Sequence, residues 1–204
     1  KVFVGTELGV AIIDIHTNRL SVPKEILPHF GVFMVSDFFV YNNEVYFSAI
    51  NEGLFKITYK NNIPVIEPVF KFQFAYSLGF YNNTIFSGNK GFIDRLKIQD
   101  LISGKTASKS FGKSVVWDFA KDKNNTLYGA AWGIFDLSGG LYRITDNEMT
   151  NISEQYGIDS KSLLNVVYNA KKDILYVGSK DKGIYEIQLD KTIDYNPFGN
   201  KKVV

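Results

Sequence analysis

A chain of 204 residues is long enough for one or two ordinary domains, and 45% hydrophobic with 15% aromatic residues is ample material for a core. The 23 basic and 21 acidic residues nearly cancel and the basic ones are scattered through turns, which argues against a nucleic-acid partner. The lack of cysteine excludes disulfides, thiolate metal sites and a cysteine nucleophile, and no apolar run reaches the roughly eighteen residues that mark a membrane span.

The chain opens directly on strand-like sequence, KVFVGTELGVAIIDI from Lys1, with no charged and apolar leader before it, as expected of a mature or excerpted protein. The segment has two apolar-aromatic runs joined by a short polar turn that ends in Gly9. The next stretch shows a whole unit: SDFFVY, Asn42-Asn43, EVYFSAI, a turn ending in Gly53, LFKITY, a turn at Asn61-Asn62, and VIEPVF. Period-two alternation rich in aromatic and β-branched residues predicts four strands, and paired asparagines tolerate the left-handed backbone of two-residue hairpins. The pattern returns as TIFSGNKGFIDRLKI from Thr84, TLYGAAWGIFDLSGGLYRIT from Thr126 and ILYVGSKDKGIYEIQL from Ile174. Further asparagine pairs stand at Asn82-Asn83 and Asn124-Asn125, and the turn glycine recurs at Gly91, Gly140 and Gly183.

The aromatic of the second strand falls at Phe3, Tyr46, Phe86, Tyr128 and Tyr176, in steps of 43, 40, 42 and 48 residues. A four-stranded up-and-down sheet of this kind has two apolar faces and must stack on its neighbours. Radial stacking accounts for unit length, strand number and two-sided burial together. The expectation is an all-β protein, a β-propeller of four-stranded antiparallel blades, with five blades or an arc of a larger ring. It forms a single domain over 1–204 with repeats near 1–34, 35–74, 75–114, 115–161 and 162–204. All five aromatics are expected in the core. Closure of five blades would draw on the tail after Leu189, with residues 201–204 supplying the inner strand of the first blade.

Two stretches carry a family resemblance. Val116 to Phe119, Asp122 to Asn125, Leu127-Tyr128 and Gly140-Leu141 match in order the two-component-regulator propeller repeat, and Leu164 to Val167, Leu175 to Ser179 and Gly183-Ile184 match it again. Tyr or Phe replaces that repeat's tryptophan in every copy, and the first and third units match loosely. The chain thus resembles the extracytoplasmic sensor propellers of bacterial hybrid histidine kinases and related surface proteins. The resemblance implies a periplasmic or cell-surface location and recognition of a ligand or protein partner without catalysis, and the residues themselves point to no cofactor and no metal.

From aromatic to glycine the second turn takes 6, 7, 5, 12 and 7 residues, so only the fourth unit is enlarged. Its insert places Trp132, Phe135 and Asp136 in an expected exposed loop, where rings beside a carboxylate suit an oligosaccharide or a protein partner. A loop folded back over a neighbouring blade is the alternative. The connections between blades add His29, Tyr76, Trp117 and Asp118 to the candidate binding residues, although Trp117, which begins an inner strand, reads more readily as core. Two isolated histidines, His16 and His29, make no metal site. Five-bladed glycosidases place carboxylates on the axis, so a carbohydrate-active enzyme using Asp37 and Asp118 is the competing function, and a purely structural scaffold is a third.

Overall fold

Residues 1–23, 34–71, 74–91, 93–102, 109–133 and 138–189 are described here, from a computed structural model of the chain. Hairpin turns set its local structure. Asn42, Asn43, Asn61, Asn62, Asn82 and Asn83 all adopt positive φ, between 47° and 65°, as three two-residue turns require. The fourth pair differs, since Asn125 alone turns left-handed, at φ 60°. There the side chain of Asp122 organises the loop, its Oδ1 accepting from the amides of Asn124 at 2.9 Å and Thr126 at 2.7 Å.

These turns join five antiparallel sheets. The first holds β1 (Val2–Thr6), β2 (Gly9–Asp14) and β3 (Arg19–Ser21). The second holds β4 (Val35–Tyr41), β5 (Glu44–Ala49), β6 (Gly53–Lys60) and β7 (Ile63–Phe70). The third is built of β8 (Ser77–Tyr81), β9 (Thr84–Gly88), β10 (Ile93–Lys97) and β11 (Lys109–Phe111), with one short helical turn, α1 (Ile98–Ile102), after β10. The fourth comprises β12 (Val115–Lys121), β13 (Leu127–Trp132), β14 (Gly140–Ile144) and β15 (Met149–Asn151); the fifth comprises β16 (Leu163–Asn169), β17 (Ile174–Ser179) and β18 (Gly183–Gln188). Strands follow one another in chain order within every sheet, the meander of a propeller blade. The tail expected to complete the first and last blades, residues 190–204, lies outside the described residues.

The chain packs as two compact units, Lys1–Leu78 and Gly79–Val204. In the first, Val10 and Ile12 of β2 pack with Phe47, Ala49, Phe55, Ile57 and Ile66 of the second sheet. In the second, Phe86 and Ile93 meet Val116, Leu127, Ala131 and Ile144, while Tyr128, Ala130 and Leu141 meet Leu163, Val166, Leu175, Val177 and Tyr185. β13 therefore sends Leu127 and Ala131 to one interface and Tyr128 and Ala130 to the other, the result of period-two alternation in a strand buried on both faces.

In the third and fourth units the recurrent aromatic, Phe86 or Tyr128, packs against the following sheet. Tyr46, Phe86 and Tyr128 are buried as expected. Phe3 and Tyr176 are only half-buried, which corrects the expectation of five core rings. Among the described strands, β1, which carries Phe3, has a hydrogen-bonded neighbour on one side only, and no described sheet follows the one that carries Tyr176.

The turn glycine after the second strand has positive φ in all five units. Gly140, at φ 137°, is constrained further, because a Cβ there would also collide with Ser153 Oγ, which accepts from the Leu141 amide at 2.9 Å. Gly140→Ala is expected to destabilise the fold by about 2–3 kcal/mol, from backbone strain together with loss of that bond. Urea unfolding of the variant against wild type checks this.

Candidate functional site

Three of the four described first strands, β4, β12 and β16, carry a β-bulge at the same place. The register shifts between Val35 and Asp37, between Val116 and Asp118, and between Leu163 and Asn165. The extra residue is Ser36, Trp117 and Leu164 respectively. A bulge breaks alternation and re-aims the side chain it carries. At Trp117 it turns an indole to Trp132, the last residue of β13, with ring centroids 5.8 Å apart and planes at 49°. These are the only two tryptophans of the chain. Lys180, in the turn between β17 and β18, completes the cluster with its Nζ 5.0 Å from the Trp132 ring. A cation so placed is held by the negative face of the ring, a contact worth about 0.5–1 kcal/mol at an exposed site.

Backbone bonds hold this cluster rigid. Trp132 bridges to Ser162, the Gly133 amide donates to the Lys161 carbonyl at 2.8 Å, and the Lys180 amide donates to the Ser162 carbonyl at 2.9 Å. The fourth and fifth sheets are thus laced together at this end through the 161–162 segment. Gly139 closes against the same seam, where a Cβ would run into the Lys161 carbonyl and the Gly133 amide. Trp132 is half-buried at a strand end, so the expectation of a fully exposed loop residue is corrected: the bridge to Ser162 extends the sheet edge beneath it. Trp117 is likewise half-buried. Phe135 and Asp136, and also His29, lie outside the described residues. Tyr76 belongs to the first unit, where its ring stacks on Phe74 at 6.4 Å and is half-buried.

Asp37 and Asp118, the two candidate axial carboxylates, are both engaged by backbone amides. Asp118 Oδ1 accepts from the next amide, Phe119, at 2.9 Å and its Oδ2 from Val166 of β16 at 2.9 Å. Asp37 repeats the arrangement, with Oδ1 taking the Phe38 amide and Oδ2 the Leu78 amide, each at 2.7 Å. In both cases the carboxylate takes the amide of the residue that follows it and one on a strand beyond its own sheet. A carboxylate so occupied on both oxygens is a bracket between strands and is poorly disposed to act as acid, base or nucleophile. Burial pushes the Asp118 carboxyl above the usual carboxylate range, against the pull of the Val166 and Phe119 amides and the Asn165 side chain. Asn165 stands at the equivalent position of the fifth sheet, after its own bulge.

Around the cluster the polar groups are largely mutually satisfied. Tyr185 donates to Asp159 Oδ1 at 2.7 Å and accepts from the Ser160 amide at 3.2 Å; burial, with Asp159 beside it, pushes the phenol up to about 12. Ser160 Oγ donates to Asp181 at 2.5 Å, and Lys182 lies 3.9 Å from Asp159. Sequence reasoning missed Lys180. Its only signal is its place in the turn preceding Gly183, which falls beside Trp132 once sheets four and five are paired. Among the described residues no three of His, Asp and Glu gather as a metal site would need, and no helix is long and apolar enough to cross a membrane.

The fold is that of β-propeller domains already solved. The extracellular domain assigned to a hybrid two component system, BT3049 of B. thetaiotaomicron, superposes with a TM-score of 0.69 at 14% identity over 92% of this chain and 25% of its own. PorZ of Porphyromonas gingivalis, a surface component of the type-IX secretion system, gives 0.65 at 14% identity over 90% of this chain and 29% of its own. A B. thetaiotaomicron protein described as quinonprotein alcohol dehydrogenase-like, BT1487, gives 0.58 at 15% identity over 92% of this chain and 48% of its own. The chain spans about a quarter of the length of the first two and about half of the third. No family model and no curated protein matches the sequence. At such identities the likeness establishes architecture, which these three proteins share across different assigned roles.

Asp118→Ala is expected to lower unfolding free energy by about 2–4 kcal/mol, since it strands two amides that bond to a charged acceptor. The pH dependence has a definite sign. With a raised pKa in the folded state, Asp118 favours folding fully below the ordinary carboxylate value of 3.8 and withdraws that contribution as pH rises through its own pKa. The stability of wild type relative to Asp118→Asn should therefore fall as pH rises from acid to neutral, as read by urea unfolding across that range.

Proposed function

We propose that this chain is a recognition module of a β-propeller sensor, working outside the cytoplasm and binding an oligosaccharide or a protein partner without transforming it. The whole of 1–204 is read as one propeller domain or part of one, with sheet starts at Val35, Ser77, Val115 and Leu163 in keeping with the repeat boundaries. The observation that carries the reading is the Trp117–Trp132–Lys180 cluster, in which the chain's two indoles are brought together by a bulge and topped by an exposed lysine. Aromatic rings with a polar or charged neighbour, on a rigid base, are what a binding surface concentrates at its centre. Likeness to extracellular sensor domains and to a secretion-system surface component supports the location and the class of role.

A carbohydrate-active enzyme is the weaker reading, because the two carboxylates it would use are spent on backbone amides. Recognition through the cluster is tested on glycan and peptide arrays, with affinities for the best probes taken by calorimetry. Trp132→Ala should weaken the selected ligand at least about tenfold while the melting curve stays cooperative. Undiminished binding by the variant would remove the cluster from the site.

A further inference from the structure

Given the recognition reading, we infer that the Trp117–Trp132–Lys180 cluster takes an acidic oligosaccharide, one whose sugar rings carry carboxylate or sulfate groups. Charge is the first reason. The segments that meet at Trp132 bring four exposed lysines to one end of the fourth and fifth sheets. Lys180 lies over the ring, Lys161 is joined through its carbonyl to the Gly133 amide, Lys182 is two residues beyond Lys180, and Lys113 accepts through its carbonyl from Ser138 Oγ. The described carboxylates near them are engaged: Asp159 with Tyr185 and Lys182, Asp181 with Ser160, and Asp118 with two amides. Four lysines against these three carboxylates leave an excess of positive charge at this end, and Lys180 over the Trp132 ring is the member placed to meet a ligand.

Size is the second reason. The platform is three hydrogen-bonded segments wide, 132–133, 161–162 and 180, and at a spacing of about 4.8 Å per strand it measures roughly 10 Å across. That suits a few sugar rings and is far below the roughly 800 Å² per partner that a stable protein interface covers. The indoles receive the apolar C–H faces of the sugar, and the Lys180 ammonium, already positioned over Trp132, turns from the ring to the acidic group.

The test is isothermal calorimetry on the full chain with four probes: trigalacturonate, a chondroitin sulfate tetrasaccharide, maltotriose and poly-L-glutamate. At least one acidic sugar should bind more tightly than maltotriose, and weaken both on going from about 50 to about 300 mM NaCl and by about fivefold in Lys180→Gln. Which of the two binds better separates carboxylate from sulfate recognition. Lys180 is exposed, so an unchanged melting curve in the variant assigns the loss to the contact. Equal binding of maltotriose, indifferent to Lys180→Gln but abolished by Trp132→Ala, overturns the acidic assignment and leaves recognition at the cluster standing. Tighter binding of poly-L-glutamate than of either acidic sugar overturns it in favour of acidic peptides. Binding of none of the four overturns it also, and the array experiment with Trp132→Ala then decides separately whether the cluster recognises anything.

Discussion

The constraint on which this structure rests is that the second strand of a blade must be covered on both faces. β9 and β13 are buried along nearly their whole lengths, and β13 feeds two separate cores from alternate residues. Neither face can be left to water without losing burial worth about 1.5–3 kcal/mol for each large side chain. A sheet built this way has no stable existence alone, so stacking on a neighbour belongs to the fold itself.

Stacking flat sheets face to face leaves the alignment of their first strands undetermined, and the bulges supply it. At two of the three bulges an aspartate accepts the next amide with one oxygen and an amide of a further strand with the other. The same irregularity has a second effect at β12, where the extra residue is Trp117. Structural bracket and candidate binding site are therefore adjacent products of one local departure from regular pairing. In such a place a buried carboxyl with a raised pKa need not signal catalysis. Burial shifts Asp118 upward, while its two oxygens accept the Phe119 and Val166 amides.

Much of the architecture is legible in the sequence because it depends on local rules. Asparagine pairs at 42–43, 61–62 and 82–83 act as turns wherever they occur, and the glycines at 9, 53, 91, 140 and 183 mark the same turn in each unit. The fourth pair departs from expectation because Asp122 bonds the loop from outside the dipeptide, a contact that alternation and turn preference do not reveal. Likewise Phe3 and Tyr176 carry the same pattern as Tyr46, Phe86 and Tyr128 yet remain half-buried, because burial depends on what lies across the face. Of the candidate site, the prominence of Trp117 and Trp132 can be read from their rarity and from the enlarged fourth unit, while Lys180, 48 residues beyond Trp132, is one of many lysines in turns.

By itself the sequence determined the strands, their turns, their grouping in units of forty-odd residues and the need for each unit to pack on another. Those properties follow from side-chain alternation and backbone preference over a few residues. Only the tertiary structure decided that Asp37 and Asp118 bind strands together and that Trp117, Trp132 and Lys180 form one cluster. Both outcomes turn on a one-residue shift in pairing, which reverses the direction of a side chain, and on hydrogen bonds across sheet boundaries between residues more than forty positions apart in the chain.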